Sequence, residues 1–273
     1  MRSFKGKEVL ITGAGSGIGQ ATALAFAGAG ARLWLADIDD SGLGQTAKGV
    51  EALGATARVL RCDVADPDAV TAMANTVHDA IPALDILMNN AGIGSAGRFL
   101  DTSLDTWHKV MNVNLMGVVH GCHAFLPAMV ERNKGGHVIN TASAAAFLAA
   151  PDMPIYAASK YAVQGFTEAL RADMARHRIG VTAVCPGIIN TPIVARAIME
   201  GALADNQRQE KAVAFYQKRN YTPEKVAAVI LKAVKRNVGV QPISPEAWGM
   251  YMAKRVAPGV VQRLSQRDVP FFK

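Results

Sequence analysis

Tyr156 and Lys160 stand four residues apart in Tyr-Ala-Ala-Ser-Lys, and the stretch from Tyr156 to Arg176 has helical periodicity. Residues four apart share one face of a helix, so this phenol and this ammonium point into the same region. A free phenol, with a pKa of about 10, is a weak proton carrier at neutral pH. A fixed cation beside it favours the phenolate, at about 1.4 kcal/mol for each pH unit of depression. Tyr156 is thereby expected to move toward the range useful for general acid–base catalysis. Taken alone, a Tyr-x-x-x-Lys pair is common on helix surfaces; its weight comes from what precedes it. Ser143 lies just past an apolar strand over His137–Thr141, where a hydroxyl can hydrogen-bond a substrate oxygen. The surroundings are not a Gly-x-Ser-x-Gly elbow, which excludes a hydrolase nucleophile. Asn114 interrupts the apolar stretch Val-Met-Asn-Val-Asn-Leu-Met-Gly, where a buried amide needs a partner.

A second constellation precedes these residues. Thr12-Gly13-Ala14-Gly15-Ser16-Gly17-Ile18-Gly19 follows a short buried strand, Glu8–Thr12, and opens an alanine-rich helix over Gly17–Ala29. Glycines there permit a tight turn and let backbone N–H groups approach a pyrophosphate at the helix N-terminus. The spacing is Gly-x-x-x-Gly-x-Gly, and no Gly-Lys-Ser/Thr follows, which excludes a P-loop. Asp37 ends the next strand, Arg32–Asp37. A carboxylate at that position can accept from both adenosine ribose hydroxyls and repels a 2′-phosphate, which favours NAD. Capping of the following helix, the alternative role for Asp37, is equally open to Asp39 or Asp40. Asn89-Asn90-Ala91-Gly92 follows a strand over Ile86–Asn89, and Cys185-Pro186-Gly187 with Thr191 follows one over Val181–Cys185.

The elements that position these residues alternate along the chain. Helices are predicted over Asp39–Leu53, from Pro67, over Leu104–Arg132 and from Thr222-Pro223-Glu224, where Thr222 reads as a cap. Further strands are predicted over Val59–Arg61 and Val238–Ile243. This order implies an α/β fold: a Rossmann-like, doubly wound parallel sheet of about seven strands with helices on both faces. Ligands of such sheets bind beyond the carboxyl ends of the strands, where the residues above fall. No internal repeat or linker divides the chain, so residues 1–273 read as a single dinucleotide-binding and catalytic domain. Residues 191–220 and the tail 244–273 stand outside the alternation.

The chain has 273 residues, half of them hydrophobic, and a net charge of +7. Its Lys and Arg residues are scattered and accompany no nucleic-acid motif, so nucleic acid is not an expected partner. Cys62, Cys122 and Cys185 sit in apolar stretches without metal-like spacing and read as buried thiols. His120 and His123, three apart, lack a third ligand nearby, and no metal site is expected. The N-terminus runs into a strand within a few residues, leaving no room for a leader, and no apolar run reads as long enough to span a bilayer. A cytoplasmic location is the resulting expectation.

The ordered set formed by Thr12–Gly19, Asn89–Gly92, Asn114, Ser143, Tyr156–Lys160 and Pro186-Gly187 resembles the short-chain dehydrogenase/reductase family, over roughly Lys5 to Thr191. The resemblance implies that Tyr156 exchanges a proton with the substrate oxygen and that Ser143 polarises that oxygen. Lys160 would bind the nicotinamide ribose and tune Tyr156, and Asn114 would hold a water linking Lys160 to solvent. Gly13, Ser16, Gly17 and Ile18 would meet phosphates and ribose, Asp37 the adenosine ribose, and Asp63 and Val64 the adenine. Asn90, Ala91 and Gly92 would approach the adenosine half, while Pro186, Gly187, Ile189 and Thr191 line the nicotinamide side. Residues 191–220 would be the substrate lid. The family's helix pairing implies a homodimer or homotetramer.

An NADPH-dependent carbonyl reductase is the alternative that Asp37 disfavours. A non-catalytic dinucleotide sensor on the same fold would be betrayed by loss of Ser143, Tyr156 or Lys160, all present. Ala144–Leu148, Met153, Ile188, Ile193, Val194, Ile198 and Met199 offer apolar surface with no charge cluster, which points to a lipophilic secondary or long-chain alcohol or carbonyl. In the tail, Trp248, Met250, Tyr251, Met252, Val256, Val260, Val261 and Leu264 lie amid Lys254, Arg255, Arg263 and Arg267. That stripe is expected to dock on a neighbouring subunit, with weak contact to an anionic membrane surface as the other reading.

Overall fold

Buried apolar runs too short for helices, separated by helix-forming segments, bury themselves best as a parallel sheet covered on both sides. The computed structural model describes residue 1 and residues 3–266, so Arg267 of the basic tail lies outside the described residues. The first half alternates as β1 (Glu8–Thr12), α1 (Gly17–Gly28), β2 (Arg32–Asp37), α2 (Asp40–Ala52), β3 (Ala57–Arg61), α3 (Pro67–Ala80) and β4 (Ile86–Asn89). It continues through β5 (Ser95–Ala96), α4 (Leu104–Met111), α5 (Gly117–Glu131), β6 (Gly136–Thr141), α6 (Pro154–Met174) and β7 (Ile179–Pro186). The remainder is β8 (Ile198–Met199), α7 (Asn206–Arg219), α8 (Pro223–Arg236), β9 (Val240–Ile243), α9 (Pro245–Val256) and α10 (Pro258–Leu264).

Seven strands form one sheet in the order β3-β2-β1-β4-β6-β7-β9, every pairing parallel. The order reverses between β1 and β4, which opens a crevice at their carboxyl ends. Along β1, Val9 and Ile11 face one side and Leu10 the other, as strand periodicity requires. Val9 and Ile11 pack with Phe26 of α1, Leu43 of α2 and Ile230 of α8. Leu10 packs with Val77 of α3, Phe125 of α5 and Val163 of α6. Two apolar layers thus clamp the sheet, and all three cysteine thiols are buried and free.

Several boundaries differ from the sequence expectation, and pairing explains them. β3 begins at Ala57 because Leu33 recruits it into the ladder, and β7 extends to Ile179 opposite Gly136. Asp39 is the cap of α2, accepting from Gly42 N–H at 3.1 Å, which frees Asp37 from that task. Thr222 stands at the N-cap of α8 without a capping hydrogen bond from its side chain. Its hydroxyl, together with the backbone there, holds the Glu224 carboxyl below its ordinary pKa.

Residues 104–131 correct the reading that no segment could span a bilayer. By length and composition this helix could cross one. Here Val118, Cys122, Phe125 and Met129 are buried on the sheet, as in a core helix. Between α4 and α5 the path widens into a π turn, Asn112–Met116, centred on the buried Asn114. Segment 191–220 is also structured: β8 pairs with β5 through Ser95↔Ile198 and Ala96↔Met199, and α7 follows. Two-residue strands and a largely polar helix leave little periodic signal in the sequence.

Candidate active site

The crevice between β1 and β4 is built by glycines and one threonine. Thr12 Oγ1 accepts from Asn90 N–H at 3.0 Å and Ala91 N–H at 3.1 Å, while Asn90 Nδ2 donates to the Thr12 carbonyl at 3.1 Å. The glycine turn and the Asn89–Gly92 segment are therefore laced together. A Cβ on Gly13 would stand 2.8 Å from Ala91 Cα, and Gly13 has φ +66°, so no side chain fits. Across the crevice, Gly17 faces Thr191, whose Cγ2 would lie 3.2 Å from an added Cβ. The loop after β7 thus meets the glycine turn, and a cleft of about 450 Å³ opens there, walled by Gly15, Ser16, Gly17, Gln20, Asp39 and Arg196 among others. Asp37, half-buried at the end of β2, accepts from Gly15 N–H at 2.8 Å and from Asp39 N–H at 3.1 Å.

Tyr156 and Lys160 project from the first turns of α6, which Pro154 begins. Lys160 is buried, with its Nζ donating to the Thr141 carbonyl at 2.9 Å and lying 5.7 Å from the Tyr156 ring centroid. Burial lowers its pKa to about 8. Gly92 keeps that corner open, since a Cβ there would lie 3.1 Å from Asn114 Oδ1 and 3.4 Å from Lys160 Nζ. Ser143 Oγ accepts from Ala145 N–H at 3.1 Å and stands near enough to the Tyr156 hydroxyl to favour its phenolate. Burial pushes the Tyr156 phenol up, and the Ser143 hydroxyl offsets it only in part. The expected depression of the Tyr156 pKa is thus not found: burial opposes the phenolate and also lowers the pKa of the nearby Lys160.

Asn114 finds the partners its burial demands. Its Oδ1 accepts from Ile93 N–H at 2.8 Å, and its Nδ2 donates to the Ile93 carbonyl at 3.0 Å and to Ser159 Oγ at 3.1 Å. Ser159 Oγ in turn donates to the Tyr156 carbonyl at 2.8 Å. The amide thus ties the loop after β4 to the helix that carries the reactive phenol.

The other predicted residues divide. Ser16 and Ile18 stand at the N-terminus of α1, and Pro186 and Gly187 at the end of β7. Val64 is buried and Asp63 exposed beyond β3, with Asp63 Oδ1 accepting from Ala65 N–H at 2.9 Å. His120 Nδ1 bonds the Val64 carbonyl at 2.9 Å, which explains its polar presence on an apolar helix. Ile189 differs from expectation: its side chain is buried in the α1–α8 core, leaving only its backbone for a ligand. Phe147 differs too, being buried against the Tyr251 ring at 5.1 Å and not lining an open pocket. Glu246 was missed; it accepts from Ile188 N–H at 3.0 Å and from Arg219 at 2.9 Å, beside Gly187. In sequence it lies in the tail 244–273, outside the alternation of strands and helices, with no local signal of a role in the site.

The glycine-lined crevice and the buried Lys160 ammonium, with donors to spare, fit a dinucleotide. Comparison with known proteins agrees. The short chain dehydrogenase family profile matches residues 7–200. The chain belongs to the short-chain dehydrogenase family. The chain is 42% identical over 265 residues to EphD of Mycobacterium tuberculosis, a probable oxidoreductase by name, covering 96% of this chain but 45% of EphD. The chain thus spans about half the length of that relative. It is 37% identical over 190 residues to 1-deoxy-11-beta-hydroxypentalenate dehydrogenase of Streptomyces exfoliatus, covering 69% of each. A crystal structure of a short-chain dehydrogenase/reductase from Burkholderia phymatum in complex with NAD superposes with TM-score 0.84 at 32% identity, covering 98% of both chains.

Proposed function

We propose that this short-chain dehydrogenase transfers a hydride between NAD(H) and a lipophilic secondary or long-chain alcohol or its carbonyl, with Tyr156 as general acid/base. The observation that carries the reading is the meeting of Ser143, Tyr156 and Lys160 beside a glycine-lined crevice. The bound dinucleotide supplies the hydride acceptor or donor. Gly13, Ser16, Gly17 and Ile18 would hold its phosphates at the N-terminus of α1. Lys160 would donate to ribose hydroxyls from its seat on the Thr141 carbonyl. In oxidation Tyr156 takes the hydroxyl proton of the substrate, while Ser143 donates to the same oxygen; in reduction Tyr156 returns the proton.

Asp37, with its carboxylate on the Gly15 N–H, supports NAD over NADP, and the Burkholderia relative is named in complex with NAD. A second reading, NADPH-dependent carbonyl reduction, draws on Arg196, which lies 3.9 Å from Asp39 at the same cleft. The Asp37 charge, set against the glycine turn itself, opposes a 2′-phosphate and favours the first reading.

The lipophilic substrate is supported by the segment 191–220, read as a lid. Val194, Met199 and Met153 are half-buried around Leu203 and Ala212, an apolar cluster. The Streptomyces relative's name specifies a hydroxypentalenate. Catalytic efficiency across a homologous alcohol series tests the reading. It should rise with apolar area, by up to about 25 cal/mol per Å2 buried. A flat trend, or a preference for sugars or hydroxy acids, would reject it.

We read the assembly as a homodimer or homotetramer. Trp248, Met252, Val256, Val260 and Leu264 leave an exposed apolar stripe on α9 and α10. Lys254 bonds Tyr161 at 2.9 Å and Arg255 stacks over Tyr251, which occupies two of the cations a membrane surface would need. A second subunit is thus favoured as the partner of this stripe, and light scattering that shows only monomer at micromolar concentration would reject it.

A further inference from the structure

Glu246 belongs to the tail beyond the last strand, yet its carboxylate reaches two parts of the site at once. One oxygen accepts from Ile188 N–H at 3.0 Å, in the loop that follows β7. The other accepts from Arg219 at 2.9 Å, at the C-terminal end of α7. The fit is tight. A Cβ on Gly187 would lie 2.8 Å from Glu246 Oε1 and would collide with Ser244 Oγ. Ser244, which launches α9, is held at φ +94°, a backbone conformation disfavoured for any residue but glycine. Such conformations persist where the surroundings over-determine them, and they gather at functional sites.

The electrostatics match the geometry. Burial alone would raise the Glu246 carboxyl, but the donors around it, Arg219 and Ile188 N–H among them, outweigh burial and hold its pKa below the ordinary value. It is therefore charged at neutral pH and can hold both donors. Tyr216 stands one turn before Arg219 on α7, on the same face. Its phenol is pushed up by burial first, then by Tyr156 and by Glu246, so it lies within the electrostatic reach of both.

We propose that Glu246 is a positioning residue, clamping the lid helix α7 through Arg219 to the Pro186–Ile188 loop through the Ile188 N–H. This rests on the reading of that loop as the nicotinamide side and of 191–220 as the lid. The clamp aligns the loop for the cofactor and holds the C-terminal end of α7 against it. It has two separable arms. Glu246→Gln keeps a carbonyl oxygen for the Ile188 N–H but loses the ion pair. Arg219→Met loses only the ion pair, and Glu246→Ala loses both arms.

The test uses the full chain and two readouts that need no turnover. The first is NADH affinity by fluorescence titration; the second is the rate of tryptic cleavage in α7, at Arg208, Lys211 and Lys218, with NADH present. Glu246→Ala should weaken NADH binding roughly tenfold, the size of one charge-assisted hydrogen bond, while Glu246→Gln and Arg219→Met stay within about twofold of wild type. All three variants should be cleaved faster than wild type, and adding Arg219→Met to Glu246→Ala should cause no further change. The Gln and Met variants decide the lid arm whether or not Glu246→Ala folds. Cleavage in those two at the wild-type rate overturns the clamp, as does wild-type NADH affinity in a folded Glu246→Ala. Wild-type protein that binds neither NADH nor NADPH overturns the cofactor reading itself, and the clamp with it.

Discussion

Replacing Lys160 by methionine should stabilise the protein at neutral pH while destroying its turnover. The drop in the ammonium pKa from 10.5 to about 8, at about 1.4 kcal/mol for each pH unit, means that the charged group costs roughly 3 kcal/mol on folding. Methionine fills similar space without charge but leaves the Thr141 carbonyl without its Lys160 donor, a loss of about 1 kcal/mol. The net gain is roughly 2 kcal/mol, or about 5 °C in Tm for a chain of this size. Its pH dependence is distinctive. Between about pH 8 and 10.5 the unfolded chain binds a proton at Lys160 that the folded chain has released. Wild-type stability should therefore gain relative to the variant as pH rises through that window, and the gap should narrow toward pH 10. Thermal unfolding of both proteins at pH 7 and pH 10, followed by circular dichroism, measures it. A variant that melts below wild type at pH 7, or a gap that does not narrow, would refute the reasoning.

Asp37→Ala removes the carboxylate that meets the Gly15 N–H. The ratio of catalytic efficiencies, NAD over NADP, should fall at least tenfold, about 1.4 kcal/mol; an unchanged ratio contradicts the role given to Asp37. Asn114→Ala strands the Ile93 N–H and carbonyl and takes the partner from Ser159. Urea unfolding should show a loss of about 3 kcal/mol, with turnover reduced because α6 is no longer tied to the loop after β4. Because burial raises the Tyr156 phenol, kcat/KM for alcohol oxidation should climb with pH through the alkaline range, and that for carbonyl reduction should not. A plateau of oxidation beginning near pH 6 would show that another group accepts the proton.

How much of this was legible depended on whether a residue's role was local. β1, β2 and β4 matched the sequence reading to the residue because each is built on a short apolar run, Val9–Ile11, Leu33–Ala36 and Ile86–Met88, closed by polar residues. Ser143, Tyr156 and Lys160 were legible because strand ends and helix faces fix direction from spacing alone. Asn114 was legible only as an anomaly: its partners, Ile93 and Ser159, lie 21 and 45 residues away. The π turn around it had no signal, since one extra residue in a helix leaves apolar periodicity nearly unchanged. The direction in which the Tyr156 pKa shifts was not legible either. Spacing showed that a cation was near, but only the packed site showed that burial sets the direction. Phe147 was read by type as a lining residue and Ile189 was carried over from the family resemblance; the structure buries both side chains in apolar packing. The Glu246 clamp joins three segments distant in sequence, which no local pattern can report.

Tyr156→Phe tests the central claim most directly, because it removes one hydroxyl and leaves the ring. Reduction or oxidation of the nicotinamide is followed by absorbance with the best alcohol of the series, alongside NADH affinity by fluorescence. The account predicts NADH binding within about twofold of wild type, and turnover reduced by roughly a hundredfold or more, the scale of a general acid–base contribution. Turnover near the wild-type value in a variant that binds NADH normally would contradict it.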